Sequence, residues 1–513
     1  MSGARGGPPG TAPERVPVVV VGGGPAGMAA ARAAAGAGAA VLLVDSGAAL
    51  GGQYHRQNGL GQNGPVQSGL EQDVARPPQE RFALPAGVEH LPDSVVWALE
   101  AAPGGHRVHL RTGPADGPGR RGRTVDTPAL VLATGAYDRA LPFPGWELPG
   151  VCTAGAAQAM AKGQGVRVGE RVLLAGTGPF LLPVARSLTA VGSRVLGILE
   201  ANDPAAGWLT EPAGLLAGRG KTGELAGYAA HLARHRIPYH RRSTVVEAHG
   251  TDRVEAVTWA RLDRDWNRVP GSERRIEADA VCVGFGFTPQ LELAVSARCE
   301  IRDGFVAVDT AQATSVPGVF AAGELTGIGG AVLSADEGTV AGTAAARVAG
   351  ARVAGARPGP PARALRRVRS GRRFAAALGR AYPVRPGWQG WLREDTLVCR
   401  CEEVGHGELC RAVEERDALG VRSVKLVSRA GLGPCQGRIC GRNVAELTGL
   451  PDPGAAFARR PLAAPLRLGE LAEPAEPPPE RPESPVPPAH PVPPAHPEPP
   501  VPPVPPAQHE EQE

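Results

Sequence analysis

The stretch Val18 to Gln53, VVVVGGGPAGMAAARAAAGAGAAVLLVDSGAALGGQ, constrains the fold more than any other part of the chain. Four valines, Val18 to Val21, read as a short buried strand. A turn follows, Gly22-Gly23-Gly24-Pro25-Ala26-Gly27, and then an alanine-rich run of high helix propensity. A second apolar run, Val41 to Val44, ends in Asp45 and Ser46. The spacing Gly22-x-Gly24-x-x-Gly27 has a physical reason at each position. Gly22 permits the tight turn, Gly24 lets a pyrophosphate approach the backbone, and Gly27 lets helix and strand pack closely. The helix start then offers free N–H groups and a positive dipole end to phosphate. Asp45 lies 18 residues after Gly27, where a carboxylate reaches a ribose hydroxyl. In a chain with 70 glycines the glycine spacing alone is weak, and an Ala/Gly-rich helical hairpin is the bland alternative. The order strand, turn, helix, strand, acid argues against that alternative.

An acid at the second strand end suits an unphosphorylated ribose, so FAD or NAD rather than NADP. The next residues favour FAD: Gly51-Gly52-Gln53 resembles the segment that follows this unit in two-dinucleotide flavoproteins, where it lines the flavin. Further on, Ala129 to Gly135 is an apolar strand ending in Ala133-Thr134-Gly135, which resembles the Ala-Thr-Gly motif of the same flavoproteins. Val319-Phe320-Ala321-Ala322-Gly323-Glu324 resembles their late strand-Gly-Asp motif, with Glu324 in place of the aspartate. In that family the carboxylate contacts the ribitol and pyrophosphate side of FAD.

Between these motifs the opening theme recurs. Val172 to Ala175 reads as a strand, Gly176-Thr177-Gly178-Pro179 as a turn, Phe180 to Ala190 as a helix, and Val195 to Leu199 as a strand ending in Glu200. The third glycine position holds Leu181, which opposes close helix–strand packing and tight NAD(P) binding. Gly176, Gly178 and Glu200 are the candidate contacts for NAD(P) or another nucleotide. Ala278 to Gly284 closes this unit. Ser94 to Glu100 and His106 to Arg111 alternate like antiparallel strands. Tyr54 to Glu80 lacks periodicity and reads as a long loop over the flavin, toward a partner, or as a plain insertion. Cys152 stands alone where thioredoxin-reductase-like relatives often carry Cys-x-x-Cys, so it reads as a small buried thiol rather than half of a redox disulfide.

A chain of 513 residues predicts several domains. The net charge of +4 has no concentrated basic face outside one linker, so nucleic acid is not a favoured partner. No apolar run reaches the roughly 18 residues of a membrane span, and the N-terminus lacks the apolar core of a signal peptide. The expected location is cytoplasmic, where eight cysteines read as thiols or metal ligands. The linker, residues 351–395, carries Arg363, Arg366, Arg367, Arg369, Arg372 and Arg373 on a helix. That helix reads as a solvated face or as a docking or anion-binding edge. After residue 448 the chain turns Pro- and Glu-rich and reads as a disordered tail.

Four cysteines form one pattern, Cys399-Arg400-Cys401 followed by Cys435-Gln436-Gly437-Arg438-Ile439-Cys440. Zinc pairs usually span a two- to four-residue gap, and Cys-x-Cys is shorter. A [2Fe–2S] cluster tolerates unequal spacing because its two irons are bridged. Gly431, Gly433 and Gly437 would let backbone N–H groups approach the sulfurs. Cys410 reads as a core thiol on a following helix. Cys399-Arg400-Cys401-Glu402-Glu403 with Gly433-Pro434-Cys435 through Cys440 resembles the C-terminal [2Fe–2S] module related to bacterioferritin-associated ferredoxin. In this position it resembles the large subunits of heteromeric amino-acid oxidases and dehydrogenases, of the hydrogen cyanide synthase, opine oxidase and proline or hydroxyproline dehydrogenase type.

The resemblance implies an α/β fold with two Rossmann-like dinucleotide-binding domains and a small helical C-terminal iron–sulfur domain. The expected boundaries are a leader at 1–15, an FAD domain at 16–150 and 285–350, an inserted second domain at 151–284, the linker at 351–395, the iron–sulfur domain at 396–448 and the tail at 449–513. It implies FAD and a [2Fe–2S] cluster as cofactors and a smaller flavoprotein partner that oxidises an amine or amino acid. No side chain stands out as a catalytic base. Two rivals remain: a self-sufficient NAD(P)H-dependent reductase, and a non-catalytic iron–sulfur docking or sensing module.

Overall fold

The strand Val18–Val21 is fully buried, as four valines flanked by apolar strands dictate, and it is the centre of a five-stranded parallel sheet. Across that sheet the strands run Val319–Ala321, Ala129–Leu132, Val18–Val21, Val41–Val44 and Val88–Leu91. This is a computed structural model that describes residues 13–55, 82–115, 117–351, 359, 361–450 and 456–472. Those residues fall in one unit, Ala12–Glu473. The expected leader up to residue 12, most of the 54–80 loop and the tail beyond 472 lie outside the described residues.

Helix Pro25–Gly36 follows the first strand, and helix Ala331–Val348 lies on it. Their backbones approach through glycines. A Cβ at Gly338 would stand 2.0 Å from Ala26 O, and one at Gly342 2.1 Å from Ala30 O. The alanine-rich composition of both helices is thus a packing requirement. An antiparallel layer, Ser94–Ala102, Gly105–Thr112 and Arg121–Thr127, covers the sheet's other side.

A second five-stranded parallel sheet runs Val151–Thr153, Ala280–Gly284, Arg171–Gly176, Arg194–Glu200 and Tyr239–Arg241. Two short antiparallel strands, Ala136–Asp138 and Phe287–Pro289, join it to the first unit. The register sets Cys152 opposite Cys282, with their sulfurs 3.6 Å apart. Cys152 therefore does not stand alone. Its partner is distant in sequence and no local spacing announces it.

Helix Ala362–Ala381 carries the arginine run. Arg363, Arg366, Arg369 and Arg373 are exposed, but Arg372 turns inward and donates to Glu337 and Gln312. The solvated-face reading is corrected at that one residue. Residues 397–448 form a hairpin, Leu397–Cys399 with Val404–Gly405, and the helices His406–Glu414, Val421–Ser428 and Gly441–Thr448. The segment 456–472, assigned by its composition to the tail, packs back on the molecule. Phe457 enters the core of the cysteine module. Ala463 N–H donates to Trp97 O at 2.7 Å. Glu470 takes a two-pronged contact from buried Arg120 at 2.6 and 2.5 Å. Composition gives no sign of the two arginines on the antiparallel layer, Arg111 and Arg120, that hold this segment down.

Candidate functional site

The first glycine loop lines a cavity of about 2180 Å³. Gly22 has φ +110, and a Cβ there would lie 2.3 Å from Ala133 O. A Cβ at Gly27 would lie 1.7 Å from Gly22 O. Both positions admit glycine alone. Gly24 differs: its Cβ would meet only Gly52 Cα, at 3.9 Å, so its backbone faces open space. Gly24 precedes helix Pro25–Gly36, which no side chain caps. Gly22, Gly24, Pro25, Ala26, Asp45, Ser46, Gly52, Gln53, Ala133, Thr134, Gly135, Gly323 and Glu324 all line the cavity, and Gly27 sits behind it.

Asp45 accepts from Gly23 N at 2.6 Å and Gly47 N at 2.8 Å, and burial raises its carboxyl above the usual range in spite of them. Glu324 accepts from Gly330 N at 2.7 Å and Gly329 N at 3.4 Å, with its carboxyl likewise raised by burial. It therefore folds the turn that starts helix Ala331–Val348. Buried Glu337, which no motif marks, accepts from Gly323 N and Thr326 Oγ1 at 2.9 Å each, and from Arg372 Nε at 2.8 Å. The acidic pair Asp336-Glu337 inside an otherwise small and apolar helix was the available signal.

The second loop is built differently. Gly176, at φ +150, abuts Gly284 O, where a Cβ would come to 1.8 Å. Gly178 has nothing within 4 Å of a Cβ and lines the same cavity. The helix starts only at Leu181, whose side chain is buried in the apolar core. Glu200 is fully buried. It accepts from Thr177 Oγ1 at 2.8 Å, Gly178 N at 2.9 Å and Asn202 N at 2.9 Å. Burial outweighs those donors and pushes its carboxyl up to about 7. Asn202 in turn donates to Pro383 O at 2.9 Å and accepts from Trp266 Nε1. Gly176 and Glu200 do not reach the cavity wall.

The four cysteines of the paired motif meet. Cys399 and Cys440 are buried, Cys435 is half-buried and Cys401 exposed. Their thiols touch in the order Cys399, Cys440, Cys435, Cys401. Contact with Cys440 holds the Cys399 and Cys435 thiols below the ordinary value. Gly431 N–H points at Cys399 Sγ, 3.4 Å away. A Cβ at Gly433 would strike Cys401 Cβ at 2.4 Å. Gly437 makes room for the Phe457 ring, which a Cβ would meet at 2.4 Å, and its backbone N–H bonds to the Cys435 sulfur. Cys410 stands apart beside His406 Nε2 at 3.6 Å. Among the described residues no three or more His, Cys, Asp or Glu side chains are disposed around one metal ion. Four thiols gathered in one run of contacts are the donor set a [2Fe–2S] cluster takes.

The cysteine module abuts the cavity. Arg438, Ile439, Arg442 and Glu446 are part of the cavity wall. Helix Gly441–Thr448 docks through Glu446 to buried Arg139 at 2.5 Å and through Asn443 Nδ2 to Ala140 O at 2.8 Å. Trp146 Nε1 donates to Leu397 O at 2.6 Å, and Arg400 lies over the Trp146 ring.

Residues 16–350 match the pyridine nucleotide-disulphide oxidoreductase family, and the chain belongs to it. Residues 397–448 match the BFD-like [2Fe-2S] binding domain. The chain is thus an FAD-dependent oxidoreductase that carries a [2Fe–2S] domain. It is 34% identical over 336 residues to hydrogen cyanide synthase subunit HcnB of Pseudomonas aeruginosa, covering 62% of this chain and 69% of that one. It is 32% identical over 460 residues to an opine oxidase subunit from Agrobacterium tumefaciens, covering 84% and 86%. The crystal structure of L-proline dehydrogenase from P. horikoshii shares the fold, with a TM-score of 0.59 at 18% identity over 90% of this chain and 81% of that one. Among the described residues no helix is long and apolar enough to cross a membrane.

Proposed function

We propose that the chain is the electron-handling subunit of a heteromeric amino-acid or imino-acid dehydrogenase or oxidase. In this reading a smaller flavoprotein partner oxidises the amine. The FAD domain comprises residues 16–150 and 285–350, around an inserted domain at 151–284, and the cluster domain 396–448 follows. The observation that carries the reading is that one cavity is walled by the first glycine loop and by Arg438 and Ile439 of the cysteine loop. The relatives' names, each that of one subunit within a larger enzyme, support the assembly.

FAD would lie along Gly22–Gly27, with its pyrophosphate at Gly24 and the start of helix Pro25–Gly36. Asp45 and Ser46 would take the ribose side, and Gly52, Gln53, Ala133–Gly135, Gly323 and Glu324 the remaining walls. Cys399, Cys401, Cys435 and Cys440 would hold the cluster. When bound, the two groups supply two-electron and one-electron redox chemistry respectively. The chain's own contribution is placement. Asp45 keeps the glycine loop shaped by taking Gly23 N–H. Glu337 fixes the Gly323 turn, and Arg372 fixes Glu337. The Arg139–Glu446 pair keeps the cluster helix against the strand that follows Gly135.

The second glycine loop supports a partner, rather than a nicotinamide nucleotide, as electron source. Its acid is buried off the cavity wall, whereas Asp45 stays on it, and Leu181 fills the space a third glycine would leave. The test is turnover of amino acids by the purified, cofactor-loaded chain with an artificial dye, with and without a co-expressed smaller flavoprotein. The proposal expects turnover only with both. Turnover by this chain alone would overturn it.

A further inference from the structure

A buried ionic cluster sits between the cavity and the cysteine loop. Glu292 Oε1 accepts from Arg438 Nε at 2.6 Å and from Arg460 Nη2 at 3.2 Å, and all three side chains are largely buried. Arg438 also donates to Ala463 O at 2.9 Å and to Cys435 O at 3.4 Å. Tyr137, two residues beyond Gly135, faces the same group and hydrogen-bonds with Arg438. Four stretches far apart in sequence thus converge: the strand Ala136–Asp138, the helix Glu292–Ser296, the cysteine loop and the 456–472 segment. Tyr137, Glu292 and Arg438 all line the large cavity, while Arg438 lies inside the Cys435–Cys440 loop.

A buried ion pair of this kind is weak evidence for stability, since desolvation offsets much of the attraction. Its placement suits another task. Ile439, exposed on the cavity wall, is bonded directly to Cys440. The wall between a group in the cavity and a group on the cysteines is therefore a single loop, and Arg438 is the residue that ties it down. A fixed charge within the cysteine loop also biases the cluster's potential.

We infer that Arg438, held by Glu292 with Tyr137 and Arg460, is the positioning residue for electron exchange between flavin and cluster. This rests on the proposed ligand sets. In each passage one centre loses one electron and the other gains it, and no bond forms or breaks. The side chain does two things. It fixes the loop on the cavity wall, and it sets the local charge against which the cluster is reduced.

The test uses the full chain loaded with FAD and cluster. The flavin is flash-photoreduced, its oxidation by the cluster is followed in time, and the cluster's midpoint potential is found by an EPR-monitored titration. Arg438→Gln removes a positive charge and is expected to lower the potential. Glu292→Gln removes a negative charge and is expected to raise it. Arg438→Gln should slow flavin-to-cluster transfer at least about tenfold, and Arg438→Lys should recover part of the rate. If Arg438→Gln fails to hold its cluster, Glu292→Gln still reports a raised potential or none, and Arg438→Lys, which keeps the charge, still reports a slowed transfer or none. Unchanged potential and rate in variants that keep both cofactors, with only a lower melting temperature, would reduce the ionic cluster to structural glue and overturn the inference. If the wild-type chain itself shows no transfer between the two centres, the parent proposal fails instead.

Discussion

The two glycine loops of this chain have nearly the same sequence plan and opposite fates. Each follows a buried parallel strand, each opens on a glycine jammed against a backbone carbonyl, and each has an acid at the end of the next strand whose carboxylate accepts a loop N–H. In the first loop the third glycine lets the helix begin at once, and Asp45 stays on the cavity wall. In the second, Leu181 occupies that position, the helix begins later, and Glu200 is sealed beneath its own loop with Asn202 tied to Pro383. The lesson is that a dinucleotide motif has separable parts. The strand and the first glycine are common to both units, whereas the third glycine and an acid on the cavity wall belong to the first alone.

Substitutions sharpen that division. The largest effect belongs to Gly27→Val, because any Cβ there collides with Gly22 O. Flavin retained after gel filtration should drop at least about tenfold, read as the ratio of flavin to protein absorbance. Flavin at wild-type levels in a folded variant would show that close helix–strand packing is dispensable. The matching change in the other loop, Leu181→Ala, removes a buried side chain and should cost about 2–5 kcal/mol in denaturant unfolding. Flavin content should be unchanged, which separates core packing from ligand binding.

Glu200→Gln has a smaller effect with a sign. A carboxyl raised from 4.5 to about 7 holds its proton more tightly in the folded state. Its contribution to stability is full below pH 4.5 and is lost as pH rises through 7. The rise is worth up to about 3 kcal/mol. Unfolding free energy measured from pH 4.5 to 8 should therefore fall in the wild type relative to the variant. Parallel curves would mean that folding leaves the Glu200 carboxyl at its ordinary value, ionised at neutral pH.

Much of this was legible. The strand–glycine–helix–strand–acid order of both units rests on local spacing, and the four cysteines announced their own cluster. What stayed hidden depends on contacts between distant stretches. Cys282 lies beside Cys152 only because two parallel strands share a register. Arg372 was legible as a charge on a helix, but its partner Glu337 lies on another helix. The 456–472 segment precedes the Pro- and Glu-rich run and was grouped with it, yet its own leucines, alanines and Phe457, with only two prolines and one glutamate, were the signal that it packs. Arg438 stands inside the cysteine motif, yet its role needs Glu292, which no spacing rule connects to it.

The central claim is that electrons reach this chain from a partner flavoprotein rather than from a nicotinamide nucleotide. The most direct test is an anaerobic visible spectrum of the purified, FAD-loaded chain as NADH and then NADPH is added. The account predicts a flavin band, with an iron–sulfur shoulder, that neither nucleotide bleaches. Rapid bleaching by NADH or NADPH would contradict it and make the second glycine loop a working nucleotide site.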